Sequence, residues 1–109
     1  MSIYDIIAEP KRRQILDLLL QRPHLVGEIV DKIGISQPGV SKHLRVLRRA
    51  GLVQVHQDAQ RRWYELQPEP LEEIDKWLAG YRRTWDERFD RLDDYLQQHQ
   101  SKEKDHDNE

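Results

Sequence analysis

The chain has 109 residues, 37% hydrophobic and 35% charged, with no cysteine and a formal net charge of −2. That length suits one domain. Without cysteine there can be no disulfide, thiolate metal site or thiol redox sensor, and no stretch approaches the roughly 18 apolar residues that span a bilayer.

Met1-Ser2-Ile3-Tyr4-Asp5 lacks the basic start and apolar block of a secretion signal, so a soluble cytoplasmic protein with no membrane partner is expected. Ile3, Ile6 and Ile7 fit a short amphipathic helix ending near Ala8-Glu9. Pro10 suits the first turn of a second helix, where its missing N–H costs nothing. That helix runs to about Gln21 on a stripe of Ile15, Leu16, Leu19 and Leu20, and Pro23 ends it. Residues 26–33 read as a third helix, Gly34-Ile35 as a turn, and residues 36–50 as a fourth helix with Ser36 as its N-cap and Gly51 as its stop. Leu52–His56 and Arg62–Leu66 read as a two-stranded ribbon joined by the polar loop Asp58-Ala59-Gln60. Pro68 and Pro70 break the second strand. A long helix from about Leu71 to Gln98 follows, with Ile74, Trp77, Leu78, Tyr81, Trp85, Phe89, Leu92 and Leu96 mostly three or four apart. Residues 100–109 are polar and charged, and disorder is expected there, leaving one domain over 1–99. The order α-α-α-α-β-β-α, mainly helical with a small β-hairpin, is that of a winged helix-turn-helix, a module that offers one helix to the DNA major groove.

The net charge conceals a division. Residues 1–67 hold 11 Lys/Arg against 7 Asp/Glu, or +4, while residues 68–109 hold 7 against 13, or −6. Between residues 42 and 62 stand Lys42, Arg45, Arg48, Arg49, Arg61 and Arg62 with Asp58 as the one acid. A polyanion feels this local excess, because salt screens the acidic half beyond roughly 10 Å.

Val40, Leu44 and Leu47 on the fourth helix fall at i, i+4, i+7 and must face the core. That rotation turns Pro38, Lys42, Arg45 and Arg49 outward, with Ser41 and Arg48 on the flanks. Gln37, Gly39 and Ser41 are small or hydrogen-bonding groups that let the backbone approach base edges; glutamine can pair with adenine, and Lys or Arg with guanine. Arg48 and Arg49, nearer the C-terminus, suit phosphates. Arg61 and Arg62 at the hairpin suit a minor groove or the backbone, the alternative being charge that keeps an edge strand soluble. Trp63 and Tyr64 read as packing groups rather than base-stacking ones. For Arg12 and Arg13 two roles stay open, phosphate contact or a structural ion pair, since positive charge at the start of a helix opposes its dipole. His43 reads as packing or a phosphate hydrogen bond. The five histidines form no ligand set, Asp105-His106-Asp107 included, and no nucleophile stands with a base, so neither a metal, a cofactor nor catalysis is expected.

The aromatic stripe of the last helix suits a pocket wall, a cover for the chain's own core, or a seam between two copies. Its length favours the seam: Trp77, Leu78, Tyr81, Trp85, Phe89, Leu92 and Leu96, with Ile3, Ile6 and Ile7 of the first helix alongside. A twofold dimer sets two reading helices about one DNA turn, roughly 34 Å, apart and predicts a palindromic operator in double-stranded DNA.

Three segments together resemble the ArsR-type family of small bacterial winged-helix repressors: Ala8-Glu9-Pro10-Lys11-Arg12-Arg13-Gln14-Ile15-Leu16, then Ser36-Gln37-Pro38-Gly39-Val40-Ser41-Lys42-His43-Leu44, then Leu47-Arg48-Arg49-Ala50-Gly51-Leu52-Val53. The resemblance spans about Ile7 to Leu96. It implies a homodimer through the first and last helices, and operator binding that blocks transcription, often of the repressor's own operon. It also carries the reading role onto Gln37, Ser41 and Lys42 and the wing role onto Arg61 and Arg62, with the capping Ser36 counted among the DNA-binding candidates. The cysteine motif of the metal-sensing members is missing, Val26-Gly27-Glu28-Ile29-Val30 standing in its place, and Ile74 to Gln98 contains no histidine. The chain thus resembles the metal-independent members. Two other readings are a regulator with an effector or metal site at the dimer interface, and a winged module used for protein contacts.

Overall fold

The computed structural model describes the backbone of residues 1–107 and the side chains of residues 1–99. The elements run α1 (Ile3–Ala8), α2 (Pro10–Gln21), β1 (His24–Leu25), α3 (Val26–Ile33), α4 (Gln37–Arg49), β2 (Val53–Asp58), β3 (Arg61–Leu66), a 3-10 turn (Glu69–Leu71) and α5 (Glu72–Asp107). Two compact units divide the chain, residues 1–74 and 75–109.

The first unit encloses the core. Ile15, Ile29, Val40, Leu44, Leu47 and Leu52 are essentially inaccessible, and Ile3, Ile6, Leu16, Leu19, Ile33 and Val53 close around them. Each such side chain contributes about 1.5–3 kcal/mol on leaving water. Leu20, expected in the stripe of α2, is instead exposed, because the buried positions of that helix are Ile15, Leu16 and Leu19 and Leu20 falls off their face. Ile3 and Ile6, expected at a seam between copies, are buried in the subunit's own core; α1 packs on α2 and turns both side chains inward. Ile7 is half-buried beside them.

The expected hairpin is one part of a three-stranded antiparallel sheet in the order β1-β3-β2. β1 has two residues, with His24 opposite Tyr64 and Leu25 opposite Trp63. Trp63 and Tyr64 therefore sit half-buried in the middle strand, in packing roles. Asp58 pairs with Arg61, which shortens the expected three-residue loop to Ala59-Gln60, with Ala59 left-handed at φ 55°.

In the second unit, α5 runs as helix to Asp107, past the end at about Gln98 expected from its apolar stripe. Residues 108 and 109, and the side chains from Gln100 onward, including Asp105, His106 and Asp107, lie outside the described residues. Tyr81, Trp85, Phe89, Leu92, Tyr95 and Leu96 are 44–65% exposed, and Trp77 is 54% exposed, its ring in a T-shaped contact with Tyr81. Leu78 is half-buried. Among the described residues no helix is long and apolar enough to cross a membrane.

Candidate nucleic-acid interface

The turn between α3 and α4 sets the angle of the reading helix. Gly34 ends α3 in the left-handed region at φ 79°, a conformation that penalises a Cβ, and its N–H donates to the Val30 carbonyl. Two residues later the Ser36 hydroxyl accepts from the Gly39 N–H at 3.2 Å, capping α4 as the sequence indicates. A Cβ on Gly39 would lie 3.3 Å from the Ser36 hydroxyl and 3.4 Å from Ile35 Cδ1, so the glycine also keeps this cap compact.

Val40, Leu44 and Leu47 face the core at 0–2% exposure and fix the rotation of α4. Gln37, Pro38, Lys42, Arg45, Arg48 and Arg49 are exposed, while Gly39 and Ser41 are half-covered. Arg48 and Arg49 occupy the last turn, where positive charge favours the helix dipole. At the wing, Arg61 and Arg62 are exposed on β3 next to the two-residue turn. The ribbon behind them is braced on its outer face: the Gln54 amide donates to Glu65 at 3.0 Å and the Gln67 amide donates to Gln54 at 2.8 Å.

Among the described residues neither Arg12 nor Arg13 forms the ion pair left open by the sequence; both guanidinium groups hold backbone carbonyls instead. Arg12 Nε donates to the Ile6 carbonyl at 2.7 Å and Nη2 to the Asp5 carbonyl at 3.2 Å, and Arg13 Nη1 donates to the Ile7 carbonyl at 2.6 Å. The two guanidinium groups cap the last turn of α1. Charge that opposes the dipole of α2 therefore favours that of α1. Arg12 Nη1 also approaches His43 Nδ1, on α4, at 3.5 Å. Burial and the charge of Arg12 hold the His43 imidazole below its ordinary pKa.

His24, which the sequence leaves without a role, is fully buried at the α2–α3 junction. Lys32 can only donate, so its Nζ donates to His24 Nε2 at 3.0 Å and His24 Nδ1–H donates to the Arg22 carbonyl at 2.8 Å. Beside it, Glu28 accepts from the Leu25 N–H at 3.0 Å and pairs with Arg22 at 2.7 Å. Arg22, then the Leu25 N–H, lowers the Glu28 pKa to about 2. Among the described residues no group of three or more His, Cys, Asp or Glu could hold a metal.

The profile described as "Bacterial regulatory protein, arsR family" matches residues 9–55, from the cap of α2 into β2. Transcriptional repressor SdpR of Bacillus subtilis is 31% identical over 80 residues, covering 73% of this chain and 89% of that protein. This chain belongs to the ArsR family of bacterial transcriptional regulators. HTH-type transcriptional regulator Rv2034 of Mycobacterium tuberculosis is 34% identical over 95 residues, covering 80% of this chain and 89% of that one. Among solved structures, the ArsR family transcriptional regulator RHA00566 overlays with a TM-score of 0.66 at 27% identity, over 77% of this chain and 87% of that one. This ArsR-family regulator is mainly helical with a small antiparallel sheet, and it is a DNA-binding transcriptional regulator. The profile match ends before Arg61, Arg62 and α5.

Proposed function

We propose that this regulator represses transcription as a homodimer bound to a palindromic operator, and that its own promoter is among its targets. The exposed face of α4 carries the reading. Gln37, Ser41 and Lys42, presented by the Ser36-capped turn with Pro38 and Gly39, contact base edges, while Arg45 and Arg49 contact the phosphates that flank them. Arg61 and Arg62 reach the neighbouring backbone or minor groove from the wing. The repressing sign is supported by the name of the SdpR relative.

The second copy is supported by α5. A monomer rarely leaves a contiguous apolar surface of this kind in water, and Trp85, Phe89, Leu92 and Leu96 follow the 4-3-4 spacing of a helix–helix seam. With Leu78, Tyr81 and Trp77 they form the proposed interface. Of the α1 residues expected there, Ile3 and Ile6 are already buried in the chain's own core and Ile7 is half-buried. Two copies place their reading helices about 34 Å apart.

Selection of bound duplexes from a random pool, followed by footprinting on the best sequence and on the gene's own upstream region, tests this reading. A two-fold symmetric footprint whose affinity falls steeply with salt is expected; absence of any sequence-selective complex contradicts it. One observation favours an effector-responsive variant of the same reading. A cleft of about 360 Å³ opens between α1 and the end of α4, lined by Met1, Ile6, Val46, Arg49 and Ala50. A thermal-shift screen with metabolites and divalent ions decides whether anything occupies it.

A further inference from the structure

We propose that Arg12 and His43 form a strut that positions the reading helix on α1, so that a pair of residues away from the DNA face sets how well α4 reads sequence. The inference rests on the proposed role of α4 in base recognition. One guanidinium serves three groups on two elements. Its Nε and Nη2 hold the Ile6 and Asp5 carbonyls at the end of α1, and its Nη1 faces His43 Nδ1 in the middle of α4. Arginine donates only, so His43 Nδ1 meets it as an acceptor, in the neutral Nε2–H tautomer. The neutral form is the one its surroundings favour, burial and the Arg12 charge acting first, opposed by Glu9 and joined by Lys42.

The geometry matters because His43 is next to Lys42 in the chain and one turn from Gly39, bordering the half of α4 that is proposed to meet base edges. A base contact is lost when a helix shifts by a fraction of an ångström, whereas a flexible arginine follows a phosphate. Anything that displaces α1 pulls on Arg12, and through His43 on this end of α4. Arg12 and His43 are positioning residues here; neither touches a base.

The test uses the full-length protein, a duplex chosen from a random pool, and a scrambled duplex of equal length. Arg12→Lys keeps the charge and loses the fork that reaches both elements; His43→Leu loses the acceptor; His43→Gln keeps one. Arg12→Lys and His43→Leu are each expected to weaken the selected duplex by roughly threefold to thirtyfold, the range in which residues coupling two sites act. Scrambled-duplex affinity and the salt slope stay as in the parent. The double variant is no worse than the weaker-binding single, and His43→Gln binds within about twofold of the parent. Additive losses overturn the strut. So does Arg12→Ala if it weakens both duplexes alike and reduces the salt slope by about one, which is the signature of a direct phosphate contact. Should the Arg12 variants fail to fold, the histidine pair decides, since equal behaviour of His43→Leu and His43→Gln also overturns it. A parent protein that binds selected and scrambled duplexes alike overturns the reading of α4 itself, and that result is seen before any variant is made.

Discussion

α4 and α5 are both amphipathic, yet their apolar faces have opposite fates. On α4, Val40, Leu44 and Leu47 are inaccessible, and the helix is left showing cations. On α5, Trp85, Phe89, Leu92 and Leu96 stay about half exposed along a helix of 36 residues. A sequence period declares that a face must be covered, but it does not say by what. In α4 the cover is the chain itself, which makes the opposite face available for DNA. In α5 the cover is, in our proposal, a second copy. Substitutions in the two stripes should therefore fail differently: those in α4 lose stability, and those in α5 lose assembly.

The strongest test of that contrast is the double substitution Trp85→Glu with Phe89→Glu. It should halve the mass in solution to one 13.1 kDa chain with helical circular dichroism retained. Losing the second half-site contact should weaken operator binding roughly a hundredfold or more. Leu47→Ala is the counterpart in α4: a cavity at a fully buried leucine should cost about 2–5 kcal/mol in urea unfolding. Lys42→Ala lies on the opposite face of the same helix. It should leave the unfolding midpoint unchanged and weaken selected DNA a few-fold to a hundredfold, by about 1–3 kcal/mol for a good base contact, in a mobility-shift titration.

A smaller effect comes from acid. Glu28 has a pKa of about 2 when folded, against 4.5 for the free side chain, because Arg22 and the Leu25 N–H hold its carboxylate charged. A lowered folded pKa gives a stability contribution that is complete above pH 4.5 and is lost as pH falls from 4.5 towards 2. Urea midpoints across that window should decline more steeply in the parent than in Glu28→Gln. The smallest expected change is at the hairpin. Ala59 is left-handed at φ 55°, and asparagine tolerates that region better, so Ala59→Asn should stabilise by up to about 1 kcal/mol in thermal unfolding.

The helix-turn-helix and the rotation of α4 were legible in the sequence because they rest on strong local signals: a glycine turn, a serine cap and a 3.6-residue apolar period. The elements that were not legible lack such signals. β1 spans two residues, too few to show any alternation, and it exists because β3 offers an edge to His24 and Leu25. The period of α1 shows that Ile3 and Ile6 need burial, but α2 and not a second subunit supplies it. The charges of Arg12 and Arg13 oppose the dipole of the helix that contains them, and only the fold shows that such long side chains reach the carbonyls of the helix before. The extension of α5 beyond Gln98 is polar, and composition reads such a segment as tail.

If two copies read one operator together, the stoichiometry on DNA must show it. Sedimentation of the protein with a selected palindromic duplex should give two chains per duplex, with a duplex carrying a single half-site bound far more weakly. One chain per duplex, with equal affinity for the half-site and the palindrome, would mean that a single copy reads alone and that the dimer proposal is wrong.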